Sequence, residues 1–134
     1  MKALTICQPW AWLVIHGPKR WENRTWATSH RGPLAIHAGG SRGWLEAVYA
    51  DAALRGLLPA AGQLAFQAVI GVVELTRIVP AAEAAGEPFA EGPLCWRLDE
   101  PRALGWPIPL PGRPGLWNLP GGLDVCEPRH GKTP

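Results

Sequence analysis

The apolar positions of this chain fall into short runs and two helical repeats, and these predict its elements in order. Ala3 to Ile6 is a brief apolar run of strand length. Pro9 follows, and proline suits a first helical turn because the N–H it lacks would be unpaired there anyway. Trp10, Leu13 and Val14 share one helical face, and Gly17 closes that helix. Trp21 to Arg24 reads as a strand with mixed faces. Arg31-Gly32-Pro33 turns the chain into Leu34 to Ala38, a buried-strand candidate. Gly39-Gly40-Ser41 is a loop whose serine is placed to cap the next element.

From Arg42 to Leu58, the residues Leu45, Val48, Ala52 and the Leu54/Leu57/Leu58 group recur at helical intervals, so one helix is expected. Pro59 to Leu64 is a loop. Phe66 to Val79 is the clearest long strand, rich in β-branched residues, and its Gly71 predicts a bulge or a bend. Pro80 to Ala85 reads as a short helix, Leu94 to Leu98 as a strand and Pro101 to Gly105 as a turn. Proline alternates with apolar residues from Trp106 to Gly112, which predicts an ordered edge segment rather than a linker. Gly115 to Leu119 is the last strand. Five or six short strands with two helices predict an α+β fold: a small, twisted, mostly antiparallel β-barrel with helices packed outside.

Composition narrows the class. At 134 residues with 47% hydrophobic and 18% charged, one folded domain is expected over residues 1–126. The polar stretch Glu127 to Pro134 has no apolar anchor and is expected to be a disordered tail. No apolar run approaches the roughly 18 residues that span a bilayer, so no membrane partner is expected. Met1-Lys2-Ala3-Leu4 runs into a strand without a secretory apolar region, which predicts a cytoplasmic location. Cys7, Cys95 and Cys126 form no CxxC pair and read as buried, inert thiols. His16, His30 and His37 are irregularly spaced, so neither a metal nor a cofactor is expected.

Charge adds a direction. The net charge is only +2, but Lys19, Arg20, Arg24, Arg31 and Arg42 are accompanied by a single acid, Glu22. Farther on, Glu83, Glu87, Glu91, Asp99 and Glu100 surround a single cation, Arg97. A basic face set against an acidic one fits a local anionic ligand, a nucleotide or a nucleic-acid strand, and ordinary surface charge is the alternative. Eight Trp stand against one Tyr and two Phe, so stacking on indole rings is available chemistry beside core packing.

The densest chemistry lies in Gln8-Pro9-Trp10 and in Lys19-Arg20-Trp21-Glu22-Asn23-Arg24. So many ionic and amide groups are costly to bury without a partner. Lys19 could contact a phosphate, act as a base if its pKa is depressed, or simply be solvated. Glu22 could accept from a base amino group or pair with Lys19 or Arg24. Arg24 offers a planar fork for a phosphate or a base edge. Gln8 could reach a base edge or hold the strand–helix corner, and Asn23 could serve a ligand or a strand end. Trp10 is either core or a stacking platform. His37 ends a buried strand and is either structural or an acid–base group. Ser41 completes the candidate ligand-binding set.

The ordered series of motifs resembles the ASCH domain family of the PUA-like superfamily. The matching residues are Leu4-Thr5-Ile6 with Gln8-Pro9-Trp10-Ala11, Gly17-x-Lys19-x-x-Glu22-Asn23-Arg24 and Arg31 to Ala38. Val69 to Leu75, Trp106 to Leu110, Gly112 and Gly115-Leu116-Trp117 continue the series, so the match spans residues 2–120. The resemblance implies a PUA-like barrel, a cleft between it and the N-terminal helix, and binding of RNA or another nucleic acid. Relatives in the superfamily recognise modified bases, one bacterial subfamily hydrolyses the amide of acetylated cytidine, and ribonuclease activity is attributed to one ASCH protein. That amidohydrolase subfamily carries a threonine three residues after the motif lysine, in a Lys/Thr/Glu set; here Glu22 stands there, with Glu74 as a further carboxylate. Cys7 also stands where many relatives carry a basic residue. Two functions follow. The first is a module binding single-stranded RNA or a nucleotide-like anion in a basic cleft. The second is an amidohydrolase or ribonuclease using Lys19 and Glu22 as catalytic residues.

Overall fold

Alternate residues of the first strand, β1 (Lys2–Ile6), enter two different cores. Leu4 and Ile6 join one, Ala3 the other. The same alternation runs along β3 (Gly32–Ala38), where Leu34 and Ile36 join the first core and Ala35 the second. Burial on both faces explains why Leu34 to Ala38 is apolar except at His37, a fully buried polar residue. In β4 (Ala68–Pro80) the parity of the first core changes between Ile70 and Val73. An odd number of bulged residues does this, because each extra residue turns later side chains to the other face.

The structure, a computed structural model, describes residues 1–121, Leu123 and Val125. Cys126 and the segment Glu127 to Pro134 lie outside the described residues. With β2 (Trp21–Arg24), β5 (Leu94–Pro109) and β6 (Leu116–Asn118), the strands form one six-stranded mixed sheet curled into a half-barrel. Their order is β2-β5-β4-β3-β1-β6, and β1–β3 is the parallel pair.

Helix α1 (Trp10–His16) covers the first core through Ala11, Val14 and Ile15. It approaches β4 at Gly71, where a Cβ would lie 2.6 Å from Cδ1 of Ile15 and 2.7 Å from the carbonyl of Arg102. Gly71 is thus both the predicted irregularity and the contact that seats the helix. Arg20 fixes the helix's other end, donating from Nη2 to the carbonyls of Val14 and Gly17 and from Nη1 to that of Leu98.

Two expectations are corrected. The helix expected from Arg42 to Leu58 is two short ones, α2 (Leu45–Ala50) and α3 (Ala52–Arg55). Asp51 breaks it by taking an extended conformation and accepting from the amide of Leu54, which caps α3. The turn expected at Pro101–Gly105 lies inside the 16-residue strand β5. Glu100 and Pro101 bulge opposite Val73, since Asp99 pairs with Glu74 and Arg102 with Val72. β2 pairs with Leu94 to Arg97 and the carbonyl of Arg20 accepts from the amide of Leu98, so from Asp99 onward one side of β5 is a sheet edge among the described residues. Pro101, Pro107 and Pro109 all lie on this edge part, where a missing N–H need break no ladder.

Candidate functional site

β2 leaves α1 through Gly17 and Pro18 and pairs antiparallel with the start of β5. This brings Lys19, Glu22 and Arg24 together between α1, the end of β1 and the loop before β5. Lys19 is 4% exposed and Glu22 8%. Nζ of Lys19 donates to the carbonyl of Trp21 and lies 3.3 Å from Oε1 of Glu22. The other oxygen, Oε2, accepts from Arg24, at 2.8 Å from Nη2 and 3.0 Å from Nε. Arg24 Nη2 also donates to the carbonyl of Thr5 at 2.9 Å, tying the triad to β1. Burial pushes the Lys19 ammonium below its ordinary pKa; Glu22 and then Glu91 oppose the shift, and Arg24 adds to it.

The triad forms the floor of an open cleft of about 910 Å³. Trp10, Trp26, Trp44 and Phe89 supply its aromatic lining. Trp10 meets Trp44 edge-on at 5.7 Å, and Trp26 meets the buried Trp96 edge-on at 4.9 Å. Lys19 Nζ lies 5.7 Å from the centre of the Phe89 ring. Glu87 and Glu91 line the same cleft.

The charge pattern therefore differs from the expected one. The basic and acidic segments meet in one cleft, which holds two cations and three carboxylates and is of mixed charge rather than basic. Of the five cations in the basic stretch, only Lys19 and Arg24 line it. Arg20 holds α1, Arg31 donates to the carbonyls of Thr28 and His30, and Arg42 stacks over Phe66 at 3.7 Å.

The other candidates divide. Trp10 both packs against the first core and lines the cleft. Asn23 lines the cleft, but its amide is engaged: Nδ2 donates to the carbonyl of Phe89, and Oδ1 accepts from the amides of Glu91 and Gly92. Gln8 is 1% exposed and holds the strand–helix corner, accepting from the amide of Trp12 and donating to the carbonyl of Ala65. His37 is fully buried. Its Nε2 lies 2.7 Å from the carbonyl of Leu110, which only accepts, so Nε2 carries the proton and Nδ1 faces Thr5 Oγ1 at 3.1 Å. Ser41 is exposed, accepts from the amide of Gly43 and lies outside the cleft lining. Glu74 is also outside it, bridged to Arg102. Cys7 lines the cleft half-buried, whereas Cys95 is buried as expected.

Sequence reasoning missed Trp26, Trp44 and Phe89. The signal was present for Phe89, which stands between Glu87 and Glu91 in a loop with no apolar repeat. Trp44 falls within the stretch expected as one helix, outside its apolar repeat, and is 52% exposed. Among the described residues, no group of three or more His, Cys, Asp or Glu could hold a metal ion, and no helix is long and apolar enough to cross a membrane.

The family model described as the ASCH domain matches residues 4–105. The chain belongs to the ASCH domain family. The matched stretch runs from β1 into β5 and includes the whole Lys19–Glu22–Arg24 triad. Activating signal cointegrator 1 of Mus musculus is 54% identical over 39 residues, which is 29% of this chain and 7% of that protein. Its Homo sapiens counterpart is 54% identical over 35 residues, 26% of this chain and 6% of that protein. The similarity thus concerns a small part of much longer relatives.

Proposed function

We propose that this protein is a nucleic-acid-binding module that takes one unpaired base of single-stranded RNA, or the equivalent nucleotide, into the cleft. The observation that carries the reading is the Lys19–Glu22–Arg24 triad on the floor of an open, aromatic-lined cleft. Aromatic faces stack on any base, at about 1–3 kcal/mol per base. Glu22 offers carboxylate lone pairs to an exocyclic amino group, and Lys19 keeps one of its three N–H donors beyond those engaged by Trp21 and Glu22. The mixed charge of the lining favours a base over an isolated phosphate. A duplex hides both faces and pairing edges of its bases, so a splayed single strand is the better ligand. The test titrates fluorescently labelled single-stranded and duplex oligonucleotides at two salt concentrations. Single strands should bind more tightly, with affinity falling as salt rises. No binding of single strands at low salt would remove the reading.

A second reading has one observation in its favour. Burial lowers the pKa of Lys19 towards the range in which an amine serves as a base. A hydrolase of a nucleoside amide or an RNA phosphodiester would use Lys19 and Glu22. Against it, each oxygen of Glu22 already faces a cation, and Glu74 is bridged to Arg102 outside the cleft. Incubation with acetylated cytidine and with RNA decides it. Turnover that disappears in Lys19→Ala supports hydrolysis, and equal background in both proteins rejects it.

A further inference from the structure

We propose that a second groove, opening beside the cleft, holds the phosphodiester next to the bound base, so that the ligand is a residue within a strand and not a free nucleoside. This rests on the reading of the cleft as a base pocket. The groove has a volume of about 370 Å³ and lies among the loop after β3, Gln67 and the segment 112–115. Thr5 and Arg24 line both cavities, so the two meet at these side chains.

The charge of the groove is unlike that of the cleft. Its lining contains Arg24 and Arg113 and no carboxylate. Arg24 uses Nε and Nη2 on Glu22 and Thr5, while its Nη1 makes no hydrogen bond to a described residue. Arg113 is exposed, and its guanidinium has no ion pair or hydrogen bond among the described residues. Two guanidinium groups with open donors and, among the described residues of the lining, no competing acid are the chemistry of a phosphate contact.

Main chain completes the wall. Gly39, Gly40, Gly112 and Gly115 line the groove, so an incoming group meets backbone there. A Cβ on Gly112 would lie 2.7 Å from both Cε1 of His37 and Oγ1 of Thr5, so this position admits no side chain. Gly112 thus packs directly against His37 and Thr5, and Thr5 Oγ1 lies 3.5 Å from the carbonyl of Arg113, which sets the segment 112–115 beside the end of β1. A strand could place its base on the triad and its adjoining phosphate between Arg24 and Arg113, where the described lining carries no acid.

The test uses the full chain, a labelled single-stranded RNA pentamer of mixed sequence, its DNA counterpart, and the four free nucleosides, comparing wild type with Arg113→Ala and Arg113→Glu. Pentamer affinity should fall about threefold in Arg113→Ala and about tenfold in Arg113→Glu, and the salt slope should become shallower by about 0.7 for the one lost contact. Nucleoside binding, followed by the indole N–H resonances of the cleft, should not change. Equal pentamer affinity and slope in all three proteins, with nucleosides still bound, would overturn the groove and leave the base pocket standing. Pentamer binding that depends on Arg113 while no nucleoside perturbs the cleft indoles would keep the groove and remove the base pocket. If neither probe binds wild type, both fall. The same Arg113 dependence with DNA supports the groove equally, since the contact is to phosphate.

Discussion

The ammonium of Lys19 lies 3.3 Å from Oε1 of Glu22, and both side chains are almost entirely withdrawn from solvent. The pair is not isolated, because Arg24 holds the second oxygen of the same carboxylate. Burying each ion costs several kcal/mol, and only tight pairing with further hydrogen bonds offsets it. The carbonyls of Trp21 and Thr5 provide those further acceptors. Glu22 is therefore the hub of the site, and the two cations are positioned through it.

That hub predicts unequal stability losses. Glu22→Gln leaves two cations facing a neutral amide, one of them buried, and should destabilise the fold by about 2–4 kcal/mol. Lys19→Met leaves Glu22 paired with Arg24 and should cost about 1–2 kcal/mol. Urea denaturation of the two variants measures both. A Glu22→Gln cost no larger than that of Lys19→Met would contradict the arrangement.

Lys19 also predicts a pH dependence. Burial lowers its pKa from the ordinary 10.5, so the folded protein releases this proton at lower pH than the unfolded chain. Between the two values the unfolded state binds more protons, and stability rises with pH. The penalty is fully present below the folded-state value and is gone above 10.5. Wild type should therefore gain stability relative to Lys19→Met as alkaline pH approaches 10.5. A difference that stays constant over that range would argue against a depressed pKa.

The sheet was largely legible because each strand carries apolar residues on the period its burial requires. Leu34 to Ile36 and Val69 to Val73 are apolar on both faces, and both lie deep between the two cores. Two elements were not legible. Pro101 marks a turn by local rules, yet the bulge opposite Val73 and the absent neighbour on that edge let the strand continue. The break at Asp51 depends on one capping hydrogen bond that competes with an otherwise helical pattern. In the site, the triad could be read from its spacing, since Lys19, Glu22 and Arg24 lie within six residues. The opposite wall could not, because Phe89 and Glu91 reach it through a loop whose course depends on Asn23.

Asn23 predicts a loop effect separable from ligand contact. Its side chain makes three hydrogen bonds to the backbone of Phe89, Glu91 and Gly92, which draw this loop onto β2. Asn23→Asp cannot donate to the carbonyl of Phe89, and it sets a carboxylate against an acceptor. The loss should be about 1–3 kcal/mol, with faster hydrogen exchange at the amides of Glu91 and Gly92. Unchanged exchange at those two amides would remove the assigned role.

Trp44 and Trp10 allow the proposed recognition to be tested separately from folding. They meet edge-on at 5.7 Å and line the same cleft, but Trp44 is 52% exposed while Trp10 also packs against the first core. Removing Trp44 takes away mainly an exposed face and one edge contact, so Trp44→Ala should cost no more than about 1 kcal/mol of stability. Trp10→Ala opens the core beneath the cleft and should cost about 2–3 kcal/mol. If the cleft stacks a base, Trp44→Ala should weaken single-strand binding by about 1–3 kcal/mol despite its small effect on folding. Thermal denaturation and oligonucleotide titration on the same preparations give both numbers. Unchanged affinity in Trp44→Ala would show that this wall does not stack the ligand, and the base would then have to rest on Trp26 or Phe89 across the triad.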